Sequence, residues 1–164
     1  MKANTLLKII IILSVIMFVE IIMIAGLSIA RADTPFVCVV HKGELLWIRN
    51  APAKEARSVD TIRFGVEGEI HEIVNGYARI TANNGKQGWV DVSYLEIPIK
   101  EEVYVVNTQD PVNKRETPEG RYMTKIRGGS RISVLGWRYS KKGELWAKVF
   151  HGGYVKAEFL SKVE

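Results

Sequence analysis

The eight residues Gly88-Trp89-Val90-Asp91-Val92-Ser93-Tyr94-Leu95 return 65 positions later as Gly153-Tyr154-Val155-Lys156-Ala157-Glu158-Phe159-Leu160. Self-similarity at a fixed offset constrains a fold more than composition does, because it means that one folding unit is used more than once. Two further echoes accompany it. Leu46-Trp47-Ile48-Arg49-Asn50-Ala51-Pro52 returns 66 positions on as Val112-Asn113-Lys114-Arg115-Glu116-Thr117-Pro118, and Tyr77-Ala78-Arg79-Ile80 returns 69 positions on as Trp146-Ala147-Lys148-Val149. The order is kept and the spacing nearly so, and the chain therefore reads as a tandem duplication. The first unit occupies residues 33–98, a short charged linker 99–102, and the second unit 103–164. Units of about 65 residues can fold alone, although they bury only about 60% of their unfolded surface.

Within each unit the apolar pattern is that of short strands. Residues 36–40, 45–49, 62–64, 70–74, 77–81 and 88–92 are β-branched or aromatic runs in the first unit. Asn75-Gly76 and Asn83-Asn84-Gly85 separate the last three, and Asn-Gly is the strongest short hairpin signal. The second unit repeats the scheme at 103–106, 112–115, 122–126, 131–135, 145–150 and 153–156, with a hairpin tip expected over 136–143. Residues 50–60 and 116–120 read as matching loops. No stretch after Ile29 holds a helical period, which predicts an all-β protein of two small barrels or sandwiches.

A different segment precedes the repeats. Lys2 and Lys8 introduce an apolar run over 6–29, followed by Ala30-Arg31-Ala32. This is the build of a secretory signal peptide cleaved after Ala32, or of a retained membrane-anchoring helix whose basic start stays inside. Either way the repeats are exported, to the periplasm or to the outer, cell-wall side. The lone cysteine, Cys38, cannot form an intramolecular disulfide. It reads as a small apolar strand residue, against the alternatives of a lipid-modified site or a nucleophile served by His41, His71 or His151.

The repeated motifs resemble those of the bacterial SH3-like (SH3b) domains, over nearly all of residues 36–162. The opening motif of that family, Leu-Asn-Val-Arg-Ser-Gly-Pro, is matched by Leu46, Ile48, Arg49 and Pro52, and again by Val112, Asn113, Arg115 and Pro118. Its closing Gly-Trp-Val with a later aromatic-Leu pair is matched at 88–95 and 153–160. The resemblance implies two tandem SH3-like barrels after an N-terminal hydrophobic helix, acting in attachment: binding peptidoglycan peptides or another envelope component. Such domains commonly accompany amidases or peptidases, but here the leader and the two repeats use up the sequence.

Candidate binding residues follow from strand alternation and aromatic placement. Leu46 and Ile48 point inward, so Trp47 and Arg49 share the other face, where they suit a sugar ring and a carboxylate. The alternative for Trp47 is packing against the linker or the other unit. Because an arginine recurs as Arg115, an internal structural bond is as good a reading for the pair as ligand binding. Tyr77, Trp89, Trp146 and Tyr154 are either core or groove floor. Trp137 and Tyr139 lie among Arg138, Lys141 and Lys142, an apolar and basic contact surface for an anionic envelope polymer, lipid headgroups or a protein. Charge supports this side: residues 33–100 hold 8 Lys or Arg against 9 acids, whereas 101–164 hold 12 against 8. A basic barrel suits an anionic partner, and export excludes nucleic acid. No His-x-x-x-His, Cys pair, Gly-x-Ser-x-Gly or phosphate-binding Gly loop is present, so neither a metal, a cofactor nor a catalytic constellation is expected. The reading is a non-catalytic envelope-binding module, with a membrane-anchored adaptor of an envelope protein complex as the alternative and a Cys38-dependent wall hydrolase third.

Overall fold

The computed structural model describes residues 34–163, so the leader at 6–29 and the Ala30-Arg31-Ala32 site lie outside the described residues. The period-2 runs become strands in the expected order. The first repeat supplies β1 (Thr34–Cys38), β2 (Leu45–Arg49), β3 (Ser58–Arg63), β4 (Glu67–Val74), β5 (Tyr77–Ala82) and β6 (Gln87–Asp91). A 3-10 turn, Val92–Tyr94, leads into β7 (Leu95–Val106). The second repeat continues with β8 (Val112–Arg115), β9 (Tyr122–Ile126), β10 (Arg131–Tyr139), β11 (Leu145–Val149), β12 (Tyr154–Lys156), a 3-10 turn at Ala157–Phe159, and β13 (Leu160–Lys162). Asn75 and Gly76 take positive φ values of 51° and 77°, and Val74 pairs with Tyr77, making the two-residue hairpin foreseen there.

Residues 99–102, expected as a linker, are the middle of β7. The start of this strand closes the first repeat by pairing with β1 (Cys38 opposite Leu95), and its end opens the second by pairing with β13 (Val106 opposite Leu160). β10 runs antiparallel along it, from Val105 opposite Arg131 to Glu96 opposite Arg138. Ala32–Glu164 consequently form one compact unit. The protein is all-β as expected, but the two closed barrels are not formed. Hydrogen bonds trace one open path, β3-β2-β6-β5-β4-β1-β7-β10-β11-β12-β8-β9, because the strand that would complete each repeat is shared and carries the sheet onward.

Two more expectations change for the same reason. The tip expected over 136–143 contracts to residues 140–144, tied by Ser140 N to Glu144 O at 2.8 Å, because β10 stays paired on both sides through Arg138. Trp137 and Tyr139 are therefore strand residues and do not sit on a tip. The loop expected over 50–60 also shortens, since β3 begins at Ser58.

Each repeat buries its own apolar centre. Phe36, Ile48, Ile70, Ile80 and Leu95 are buried in the first. In the second, Val106, Val112, Val149 and Val155 form a core against which Ile126, Ile132, Phe159 and Leu160 pack. Polar bonds reinforce the shared strand between them. Glu96, from the first repeat, accepts from Lys148 Nζ at 2.5 Å through Oε1 and from Tyr154 Oη at 2.7 Å through Oε2. Arg138 Nε donates to the Ser93 carbonyl at 2.9 Å.

The repeated glycine of the closing motif has a steric cause. Arg49 is opposite Trp89 and Arg115 is opposite Tyr154, so Gly88 and Gly153 enter their strands against an arginine backbone. A Cβ added there would lie 2.8 Å from the Arg49 carbonyl oxygen and 2.9 Å from that of Arg115, and the φ values are +141° and +87°. Gly88→Ala and Gly153→Ala should each destabilise the fold by about 1–3 kcal/mol, the usual cost of overpacking and backbone strain. Denaturant melts of the two variants would show this, and wild-type midpoints would contradict the crowding.

Burial, and then the bond to Glu96, push the Tyr154 phenol up to about 12 from its ordinary value near 10. The folded state thus favours the protonated phenol. Its contribution to stability is complete below pH 10 and is lost as pH rises from 10 to about 12. Absorbance titration of phenolate should show a component with a midpoint near pH 12 that Tyr154→Phe removes; a profile unchanged by that substitution would contradict the buried Tyr154–Glu96 bond.

Candidate functional site

The twin arginines answer the question their recurrence poses. Both follow a register shift in their hairpin, between Ile48 and Arg49 and between Lys114 and Arg115. That bulge turns each side chain towards the loop that follows. Arg49 Nη1 donates to the Ala56 carbonyl at 2.7 Å, and Arg115 Nη1 donates to the Gly120 carbonyl at 2.9 Å. A charged donor on a loop carbonyl is worth more than a neutral one and fixes the loop backbone. Both arginines are thus loop clamps, and Arg115 alone has a second surface.

That surface is a groove of about 390 Å³ on the second repeat, within the range of small-molecule sites. Asn113 and Arg115 reach it from β8, Trp146 from β11, Lys156 from the end of β12, and Phe159 from the following 3-10 turn. The segment carrying Thr108, Asp110 and Pro111 forms the remaining wall. Trp146 is buried and presents an edge of its indole as floor. Lys156 Nζ stands 5.9 Å from the centroid of that ring, while pairing with Glu144 at 2.6 Å and Glu158 at 3.3 Å. Their mutual hydrogen bond holds the Glu144 carboxyl below its usual range and the Lys156 ammonium above, so both are charged at neutral pH. The Trp146 indole N–H is buried and, among the described residues, has no acceptor within hydrogen-bonding distance. Chemically the groove offers an apolar floor, amide and hydroxyl groups, the Arg115 guanidinium, the Asp110 carboxylate and an ammonium already paired with Glu144 and Glu158. These are means to orient a ligand that is partly apolar and carries a carboxylate.

Of the residues singled out by sequence, the structure brings Arg115 and Trp146 into this groove, and the others lie elsewhere. Trp47 is 54% exposed on β2, with Leu45 on the same face. Trp89 is half-buried between Arg49 and Arg79. Tyr77 begins β5 opposite Asp91. Trp137 meets Tyr104 edge-on at 5.4 Å between ring centroids. Tyr139 is half-buried, and burial pushes its phenol up. Tyr154 is buried and engaged by Glu96, so its hydroxyl is internal.

Sequence reasoning missed Thr108, Asp110, Lys156 and Phe159 as groove residues. One signal for Lys156 was present in the repeat. In the first copy Asp91 stands at that position and caps its 3-10 turn, accepting from Ser93 N at 2.9 Å and Ser93 Oγ at 2.7 Å. In the second copy Lys156 replaces it and no side chain caps the turn. Exchanging a capping acid for a cation at a duplicated position changes the charge at the groove's mouth without being needed for the fold.

Cys38 is fully buried, and burial pushes its thiol up. This environment holds the protonated form, the reverse of what activates a thiolate. Among the described residues no three His, Cys, Asp or Glu side chains are grouped as metal ligands.

No family model and no curated protein matches the chain. Among solved structures it is similar to NlpC1 from Trichomonas vaginalis, at 15% identity and a TM-score of 0.36, over 83% of this chain and 48% of that one. It is also similar to NlpC2 from Trichomonas vaginalis, at 13% identity and a TM-score of 0.36, over 81% of this chain and 49% of that one. A third similarity is to the endolysin LysPBC5 CBD, at 12% identity and a TM-score of 0.32, over 81% of this chain and 96% of that one. The chain spans about half the length of the two NlpC chains.

Proposed function

We propose that this protein is an exported, non-catalytic module that attaches to the bacterial cell envelope, with peptidoglycan or its peptides as ligand. The observation that carries the reading is the groove on the second repeat, where Arg115 and Lys156 flank the Trp146 and Phe159 floor. A stem peptide joined to a sugar offers apolar side chains, amides and free carboxylates, each of which meets its complement there. The SH3b-like motifs at 46–52, 112–118, 88–95 and 153–160 support the same assignment. So does the apolar leader, which would deliver the repeats outside the cytoplasm. Support for the non-catalytic part comes from Cys38, whose thiol is buried in the first-repeat core, away from solvent.

One observation favours a second reading, an adaptor that binds another envelope protein. Leu45 and Trp47 expose apolar surface side by side on β2, with Val59 exposed on the adjoining β3. Aromatic residues on an exposed face are typical anchors of protein interfaces.

Co-sedimentation with purified peptidoglycan sacculi, at low and moderate salt, separates the two. Full-length protein in mild detergent should be retained at both salt levels. Asn113→Ala and Lys156→Ala should each weaken retention about fivefold or more, equivalent to roughly 1 kcal/mol, with unchanged thermal melts. No retention at either salt would overturn the wall-binding reading and leave the Leu45–Trp47 face as the surface to pursue.

A further inference from the structure

A second cavity, of about 740 Å³, opens where the two repeats meet and shares no lining residue with the Arg115 groove. One wall comes from the first repeat: residues 39–44, the exposed Phe64 and the 3-10 turn at Ser93 and Tyr94. The other comes from the second repeat, residues 117–120 and 138–141. Three cations face it, Lys42 from the first repeat and Arg138 and Lys141 from the second. Two acids face it as well, Glu44 and Glu119, but Glu119 is already paired with Lys142 at 2.7 Å. Among the described residues no carboxylate pairs with Lys42 or Lys141. Arg138 is partly spent on the Ser93 carbonyl and serves as the fixed base of the cleft.

Aromatic surface accompanies this positive balance. Phe64 lines the cavity with 57% of its surface exposed. Tyr94 presents its ring beneath Lys141 Nζ, 5.8 Å from the centroid, and Tyr139 lines the same side. Aromatic faces with flanking cations match a chain of pyranose rings bearing negative groups: the C–H faces of the sugars stack while the anions pair with ammonium groups. An acidic peptide fits less well. The lining segments are turns, a 3-10 turn and the end of β10, which is already paired with β7 and β11 at Arg138. None offers the free strand edge that an extended peptide needs for main-chain pairing.

We propose that the cleft between the repeats, bounded by Lys42, Phe64, Tyr94 and Lys141, is a binding site for an anionic glycan. The inference stands on the cleft alone and does not depend on the ligand assigned to the Arg115 groove. Hydrogen bonds hold both walls, Val39 N to the Tyr94 carbonyl on one side, Arg115 Nη1 to the Gly120 carbonyl and Ser140 N to the Glu144 carbonyl on the other, so the site exists before its ligand arrives and little ordering opposes binding.

Calorimetric titration of the full chain in mild detergent, with three probes, tests it. Hexagalacturonate supplies carboxylated sugars, maltohexaose neutral sugars, and hexaglutamate carboxylates without sugars. The expected result is saturable binding of hexagalacturonate, at least about tenfold tighter than either control. The double variant Lys42→Ala/Lys141→Ala should weaken it about tenfold or more, and Phe64→Ala about threefold, whereas Asn113→Ala should leave it unchanged; a tenfold change is 1.4 kcal/mol. These substituted side chains are exposed, and thermal melts identical to wild type would confirm that the variants fold. A glycerol-phosphate oligomer in place of hexagalacturonate distinguishes a phosphate-bearing from a carboxylate-bearing polymer as the source of the anion. Failure of both anionic probes to bind overturns the proposal. So does hexaglutamate binding as tightly as hexagalacturonate and indifferently to Phe64→Ala, which would make the cleft a simple charge trap. Loss of hexagalacturonate binding in Asn113→Ala would overturn it too, by moving the site to the other groove.

Discussion

The backbone ladder between β7 and β10 is the interaction on which the rest of this structure depends. It runs from Val105 opposite Arg131 to Glu96 opposite Arg138, with one bulge between Val134 and Gly136, and so crosses from one repeat into the other. A small all-β unit of about 65 residues is marginal by itself because it buries too little of its surface. Sharing a strand alters that balance: one set of ordered residues satisfies the edges of two sheets. Val37 and Cys38 pair with its first turn of chain, and Leu160, Ser161 and Lys162 with its last residues. Glu96 then adds side-chain bonds in the same direction, binding Lys148 and Tyr154 of the opposite repeat. Strands from both halves of the chain thus meet on one common strand.

Much of this was legible in the residues. The order of strands, the Asn75-Gly76 hairpin and the inward face of Leu46 and Ile48 follow from local rules whose causes lie within a few residues. The repeated glycines were visible too, although their reason, the approach of Gly88 to Arg49 and of Gly153 to Arg115, needs the fold. What escaped is non-local. Residues 97–102 carry Pro98 and three charged side chains, and by composition they resemble a linker. They are a strand because β10 lies alongside, and Pro98 is tolerated because it falls opposite Gly136, at the bulge in the ladder between Val134 and Gly136. There the approach is so close that a Cβ on Gly136 would lie 2.8 Å from the Ile97 carbonyl oxygen. The same unseen pairing drew Trp137 and Tyr139 out of an expected hairpin tip and into β10.

The sites divide along the same line. Arg115 and Trp146 could be singled out because each belongs to a repeated motif, and the groove they share lies within one repeat. The other cleft had no such signal. Its residues come from separate turns and the end of β10, and the sequence marks only its second-repeat side, where Arg138, Tyr139 and Lys141 stand out as an apolar and basic contact surface. Repetition left Arg49 and Arg115 open between an internal bond and ligand binding, and both make the internal bond, each holding the loop that follows it. The positions where the copies differ carry more information about binding, as Asp91 and Lys156 illustrate.

A shared strand also sets how two binding surfaces can cooperate. Had residues 99–102 been a flexible tether, the surfaces would have explored many separations, and any gain from engaging both would have depended on an effective concentration averaged over them. With residues 99–102 inside β7 and one compact unit around it, their separation is set by the fold. A polymer whose repeat matches that separation is held at two points with little further loss of freedom, and one that does not match gains nothing from the second point. Rigidity of this kind turns spacing into specificity. In this chain the instrument is the backbone pairing of β7 rather than the ionic bonds around it. Those bonds, partly open to water, are screened by salt, whereas main-chain hydrogen bonds within a buried sheet are not. The relative placement of the groove and the cleft should therefore persist across changes in ionic strength.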